Sequence, residues 1–492
     1  MTAFRIWCDI SELVFFFSRA TRPTGVHRFA LSLLHELRAL PPELRDRVSL
    51  LLIRPMDGAL QEVDWAFLDL MNVRMREGGG SARGMTIRSS DSGGSLAPPC
   101  HRSRSVWHDV QRTVYSLIPA ALRPASRGLV VALVMFARAF SSWAAQQIRY
   151  MRTKIKNPGQ VGGSAVSTDQ STDKGFAQRV RDMSRIAAPD SGDWILDFGA
   201  TWNVPRHDDI LAQARQKRGL RIACIIYDLI PIEHPDLVSL MFHQWFEDWL
   251  YGHAQLVDHM LPISQHTEKA ALAYRQARGL PQIPSTVICG GSDFLPAQDA
   301  PMPEILAEKL VGPYVISVGT IEARKNQIML FEVWKRLVAR HGDRAPQLVL
   351  VGARGWGVDD MFARLESCNW LGGKVVWAQG ADDLTLAALY RGCLFSMFPS
   401  QAEGWGLPVV EALAMGKLCL ASTSTSIPEA GGAFADYFDP DSVTEALALV
   451  ERYAFDDQAR HQRENEISKG FEPRLWSAAA HDLMKALGVQ AS

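Results

Sequence analysis

Two glutamates, Glu403 and Glu411, lie eight positions apart, and well upstream an arginine and a lysine, Arg324 and Lys325, are adjacent. These residue types suit an anionic, polyhydroxylated ligand. Carboxylates accept protons from hydroxyl groups, a guanidinium offers a planar pair of donors, and an ammonium is a compact point charge. The backbone around Glu403 adds to this. Gly404 and Gly406 let a ligand come close, and Pro408 stands where the first turn of a helix tolerates proline, with Gly416 at its end. Amides at a helix start point at anions, so Gly404, Trp405, Gly406 and Leu407 are candidate contacts for a phosphate or the group beside it. Arg324 and Lys325 would stabilise charge growing on a departing diphosphate, an effect worth about 3–4 kcal/mol per well-placed donor. The same stretches also fit a plain strand–loop–helix turn with surface glutamates and two solvated residues at a helix start. Cations there oppose the helix dipole, a local cost that a bound anion would offset.

The elements that must hold these groups follow from hydrophobic periodicity. Residues 314–318 form an apolar strand, Gly319 opens the loop carrying Arg324 and Lys325, and residues 327–339 have one apolar helical face. Further strands are expected at 347–351, 374–377, 394–398, 418–421 and 435–438, with a helix at 384–392. The N-terminal half shows a similar alternation. Strands are expected near residues 4–10 and at 48–53, 194–198, 220–227, 259–264 and 285–288, and an amphipathic helix opens just after Gly25. The run at 220–227 is almost continuously apolar, as in a strand buried on both faces, and ends at Asp228. Ligands gather beyond the carboxyl ends of parallel strands, which makes Asp228 a candidate cleft residue, although a turn or helix cap explains it as well.

At 492 residues the chain exceeds one ordinary core. The expected organisation is an N-terminal domain from 1–74 and 176–297, an insertion at 75–175, a C-terminal domain at 298–470, and a closing segment at 471–492. The insertion is bounded by Gly/Ser-rich stretches and holds an apolar run divided by Arg138 and flanked by basic residues. A helix lying at the headgroup level of a membrane fits this pattern better than a spanning one, and a buried hairpin with a basic face is the alternative.

The formal net charge of −1 gives no global attraction to nucleic acid or acidic lipid. Seven scattered cysteines without a C-x-x-C pair read as buried thiols in a reducing compartment, and the N-terminus lacks the pattern of a secretory signal. A cytoplasmic location is expected, with peripheral contact at the inner membrane. Asp439-Pro440-Asp441 reads as a turn with a helix cap, and His207-Asp208-Asp209 as a polar loop, so no metal site is expected. Nucleic-acid binding is disfavoured because the basic residues lack interleaved aromatics.

Taken together, GTIEARKN, VGARGW, and FPSQAEGWGLPVVEALAMG followed by SIPEAGG resemble the C-terminal half of retaining glycosyltransferases of the GT-B fold. The similarity is to the large family with an E-x7-E pattern that includes bacterial polysaccharide α-mannosyltransferases. TGVHRF resembles that family's glycine loop, and PRLWSAAAHDLMKAL its closing helix. YDLIPIEHP resembles a segment that often begins His-Asp, with Tyr227 standing at the histidine. The resemblance implies an α/β protein of two Rossmann-like domains facing across a cleft. It implies that Glu403 contacts the donor sugar, Glu411 the nucleotide ribose, and Arg324 and Lys325 the diphosphate, with Gly25 and Gly319 on the loops beside them. It also implies a nucleotide-sugar donor, with GDP-mannose first and a UDP-sugar as the alternative. The acceptor would be a lipid-linked or growing glycan, and neither cofactor nor metal is required. A catalytically silent scaffold of the same fold is the rival class.

Overall fold

The computed structural model describes residues 4–20, 23–78, 85–89, 170–292 and 301–489. Of the expected membrane-associating insertion at 75–175, residues 90–169, with its apolar run and basic flanks, lie outside the described residues.

Among the described residues, two seven-stranded sheets organise the chain. The first has the order β5-β3-β2-β1-β6-β7-β8, from β1 (Ile6–Asp9), β2 (Val48–Ile53), β3 (Leu60–Val63), β5 (Ser184–Ile186), β6 (Trp194–Asp197), β7 (Arg221–Ile226) and β8 (His259–Pro262). β2, β1, β6, β7 and β8 run parallel, while at one edge β3 runs against both of its neighbours, β2 and β5. The second has the order β14-β13-β12-β9-β10-β11-β4, from β4 (Thr86–Arg88), β9 (Tyr314–Val318), β10 (Gln347–Val351), β11 (Val375–Gln379), β12 (Ser396–Phe398), β13 (Cys419–Ser422) and β14 (Asp436–Phe438). Only β4 is antiparallel there. Parallel sheets need cover on both faces, and the β7 sequence RIACII has the unbroken apolar character this demands.

β4 lies within the stretch expected to be an insertion, yet it pairs with β11 of the second sheet, Ile87 opposite Ala378. The strand expected at 285–288 is reduced to a single bridge between Ser285 and Met260. Pro284 and Pro262 both lack the N–H a longer ladder would use.

Helix Gly25–Ala39 buries Phe29, Leu33, Leu34 and Leu37 against the first sheet, each burial worth about 1.5–3 kcal/mol before entropy. Its start is fixed by a reciprocal cap between Thr24 and His27. The closing helix Trp476–Ala486 packs on it, with Trp476 edge-on to Phe29 at 4.9 Å. Trp476, Ala479, Leu483 and Met484 thus enter the core of the first sheet, although they follow the whole second sheet in sequence. The six described cysteines form no disulfide, and most are buried. Among the described residues, no helix is long and apolar enough to cross a membrane.

Candidate active site

In each sheet the strand order reverses direction once, and loops leaving the two central strands diverge to open a crevice. In the second sheet this happens between β9 and β12. The loop after β9 carries Arg324 and Lys325, and the loop after β12 carries Glu403. The crevice is therefore where the two motifs meet, although 78 residues separate Arg324 from Ala402, whose carbonyl accepts from the Arg324 guanidinium at 2.7 Å.

The charges are tightly interlocked. Glu403 is 8% exposed. Its Oε2 lies 2.8 Å from Arg324 Nη1 and its Oε1 2.6 Å from Lys325 Nζ. Arg324 also donates to Glu322 Oε1 at 2.8 Å. Burial pushes the Glu403 carboxyl up, but Arg324 and then Lys325 outweigh it and hold the group at about 2. Burial pushes the Lys325 ammonium down, and Glu403 restores only part of the difference. The geometry thus assembles two cations and two carboxylates at the strand ends, with Glu403 bound by both of the groups expected to take a diphosphate. An incoming diphosphate would compete with Glu403 for both cations and release its oxygens.

The backbone of the Glu403 loop is held by side chains of the β13 loop. Glu403 N–H donates to Thr425 Oγ1 at 2.8 Å, and the Glu403 carbonyl accepts from Thr425 and Ser426 hydroxyls. Gly404 presses against the end of β7 in the first sheet, where a Cβ would lie 2.1 Å from the Tyr227 carbonyl oxygen. Trp405 and Leu407 pack on the first sheet's core, so their side chains join the two halves. Gly406, with φ of 143°, starts helix Leu407–Ala414. Gly319 also has φ of 143°, and a Cβ there would meet the Lys325 side chain.

Glu411 is buried on that helix, one turn from its start, and does not join the Arg324–Lys325–Glu403 cluster. Burial raises its carboxyl pKa, with Arg28 opposing. Arg28 comes from the opposite half, on helix Gly25–Ala39. Its Nη1 is 3.7 Å from Glu411 and its Nη2 2.5 Å from Asp383. No spacing or periodicity in the sequence singles out Arg28; its one signal is its place within TGVHRF, three residues after Gly25. Gly25 itself opens the helix with room for a Cβ.

Asp228 lies beyond β7, facing Arg324, and its Oδ1 accepts the Ile230 N–H at 3.1 Å. Burial raises its pKa, and Arg324 opposes. A cavity of about 460 Å³ runs between the halves here, lined by Trp202, Asp228, Phe242, Phe246, Arg324 and Trp356. Aromatic walls with a few convergent charges suit a sugar or a similar amphipathic ligand. Tyr227, at the position of the family's histidine, points into the core and meets Phe29 edge-on at 5.4 Å.

The expected polar loop at His207 takes another form. Arg206 adopts a left-handed conformation, φ 58°, and helix His207–Arg218 begins immediately after it. His207 is buried in the first turn, with Nε2 2.7 Å from Asp9 Oδ2. A buried carboxylate on the neighbouring strand end draws this histidine inward, which its polar sequence context did not indicate. Asp439-Pro440-Asp441 is a turn in which Asp439 accepts the Asp441 N–H.

Residues 301–469 match the family model described as glycosyl transferases group 1. The chain is similar to the serotype-specific mannosyltransferase WbdA of Escherichia coli, 27% identical over 279 residues that cover 54% of this chain and 34% of that protein. It is also similar to the O-antigen chain mannosyltransferase B of E. coli, 30% identical over 181 residues, covering 36% of this chain and 47% of that one. The aligned regions thus span between a third and a half of these relatives' lengths. Among solved structures, Anabaena Alr3699/HepE in complex with UDP and glucose superposes with a TM-score of 0.52 at 13% identity, covering 99% of both chains. The likeness takes in both sheets, and the fold is GT-B.

Proposed function

We propose that this chain is a retaining glycosyltransferase that moves a sugar from a nucleoside diphosphate onto a glycan or lipid-linked acceptor. The observation that carries this is the meeting of Arg324 and Lys325 from one strand end with Glu403 from another, at the reversal point of the second sheet. Arg324 and Lys325 bind the diphosphate, Glu403 holds hydroxyls of the donor sugar, and Glu411 together with Arg28 holds the ribose end. The acceptor occupies the aromatic cavity beside Asp228 and Trp202.

In the reaction the acceptor hydroxyl attacks the anomeric carbon on the face from which the diphosphate departs. The bond from that carbon to the phosphate oxygen breaks, its electron pair stays on the diphosphate, and that oxygen takes the hydroxyl proton. Arg324 and Lys325 supply the positive charge for the leaving group, so the step needs no metal ion there. Mannose from GDP-mannose is the first donor to test, which the mannosyltransferase relatives support, and a UDP-sugar is the second.

Purified protein incubated with a panel of radiolabelled nucleotide-sugars is expected to transfer or slowly hydrolyse one of them. No transfer and no hydrolysis across the panel, with thermal stability unchanged by GDP, UDP and ADP, would overturn the enzyme reading in favour of a silent scaffold.

A further inference from the structure

The first sheet has its own reversal point, between β1 and β6, and the crevice there is filled by a buried charged cluster. The last residue of each strand is a buried aspartate, Asp9 on β1 and Asp197 on β6, paired in register. Two buried histidines meet them, His207 from the start of helix His207–Arg218 and His253 from the end of helix Leu240–Ala254. Asp208 Oδ1 lies 3.0 Å from His207 Nδ1 and 2.9 Å from His253 Nδ1, and accepts from both rings. Both rings therefore turn Nε2 towards the strand ends. His207 Nε2 is 2.7 Å from Asp9 Oδ2. His253 Nε2 is 3.3 Å from Asp197 Oδ2, outside hydrogen-bond geometry, and the Cys224 thiol is a further polar neighbour of this ring, on a side chain 2% exposed. One ligand atom each from Asp197, His207 and His253 lie within 4.8 Å of one another.

We propose that this cluster is a site for a divalent first-row transition metal, best suited to zinc, with Asp197, His207 and His253 as ligands and Asp208 orienting both imidazoles. Four features support it. A carboxylate that fixes the Nδ1 tautomer and frees Nε2 is the usual support of a metal-bound histidine, and here one carboxylate serves two rings. Donors about 2.1 Å from a tetrahedral ion lie roughly 3.4 Å apart. The 3.3 Å between His253 Nε2 and Asp197 Oδ2 already has that spacing. The buried His253 Nε2 makes no well-formed hydrogen bond and has only a thiol and an ill-aligned carboxylate near it, and coordination through its lone pair would give it a full partner. Lastly, three carboxylates, Asp9, Asp197 and Asp208, converge around these rings and need compensating positive charge. One divalent cation brings the same charge as protons on both imidazoles.

The site would clamp the end of β6 to both helices. It also steadies the turn Thr201–Asn203, because Thr201 Oγ1 donates to Asp197 Oδ2 at 3.3 Å. That turn places Trp202 on the cavity wall. The cluster is built on the first sheet alone, and its metal content is measured without any assumption about the reaction.

The test uses the full-length chain, purified without chelators or metal-affinity resin. Mass spectrometry of the metal content is expected to find roughly one equivalent of a divalent transition metal per chain. After dialysis against chelator, ZnCl2 alone is expected to raise the melting temperature. Asp197→Asn and His253→Gln should each retain about a tenth or less of the wild-type metal and lose the ZnCl2-dependent shift. X-ray absorption of the wild-type protein, which requires no variant to fold, should show two imidazoles and oxygen in the coordination shell. Metal-free wild-type protein that ZnCl2 does not stabilise would overturn the proposal and leave a doubly protonated histidine pair. Undiminished metal in both variants, or a shell without imidazole, would overturn it equally.

Discussion

Glu403→Gln separates what the carboxylate does for the fold from what it does for the reaction. Between Arg324 and Lys325, the carboxyl pKa falls from 4.5 to about 2 despite burial, which corresponds to about 3 kcal/mol favouring the folded, ionised state. For a group lowered on folding, this stabilisation is complete above pH 4.5 and is lost as the pH falls towards 2. The amide has no such charge, so at pH 7 the variant loses the contribution and leaves Arg324 and Lys325 side by side. In a domain of 150–250 residues each kcal/mol moves the melting temperature by about 2–4 °C, so a fall of about 6–12 °C is expected. The gap between variant and wild type should shrink as the pH is lowered from 5 to 3. Nucleoside diphosphate binding should persist or tighten, because the phosphates no longer compete with a carboxylate for the cations. Turnover should fall by about two to three orders of magnitude, since the amide does not accept sugar hydroxyls with a full negative charge. Differential scanning fluorimetry across pH, with and without GDP or UDP, and initial rates on the active donor would measure all three. A melting temperature at pH 7 within about 1 °C of wild type would refute the energetic argument. Turnover within about threefold of wild type would refute the role at the sugar.

Other substitutions test neighbouring parts of the site. Gly404→Ala places a methyl group 2.1 Å from the Tyr227 carbonyl, so the two halves must shift; a loss of more than tenfold in activity is expected with the second sheet still folded by circular dichroism. Arg28→Ala removes a partly exposed pair with Asp383 and the reach to Glu411, so stability should change by about 1 kcal/mol or less while nucleotide affinity falls by about tenfold in calorimetry. Arg324→Ala removes a leaving-group donor, and kcat should drop by about 10²–10³ in single-turnover assays. Trp202→Ala opens the cavity wall and should raise the acceptor KM more than it lowers kcat, as separate titrations of acceptor and donor would show.

Local pattern alone determined much of this protein. The apolar runs that became β7, β9 and β10 were visible because a strand covered on both faces leaves few places for polar residues. The helix after Gly25 was visible because Phe29, Leu33 and Leu37 recur with its period. Arg324, Lys325 and Glu403 stand out because a ligand of stated chemistry needs those groups on short loops at strand ends, and Glu411 because it follows on the helix that the Glu403 loop opens. Tertiary structure decided what met what. The pairing of β4 with β11, the reach of Arg28 across to Glu411, and the convergence of Asp9, Asp197, His207 and His253 join residues dozens to hundreds apart. Sheet order brings those residues together, and strand order in a parallel sheet is set by which faces the crossovers bury. A window around any one residue holds no record of that.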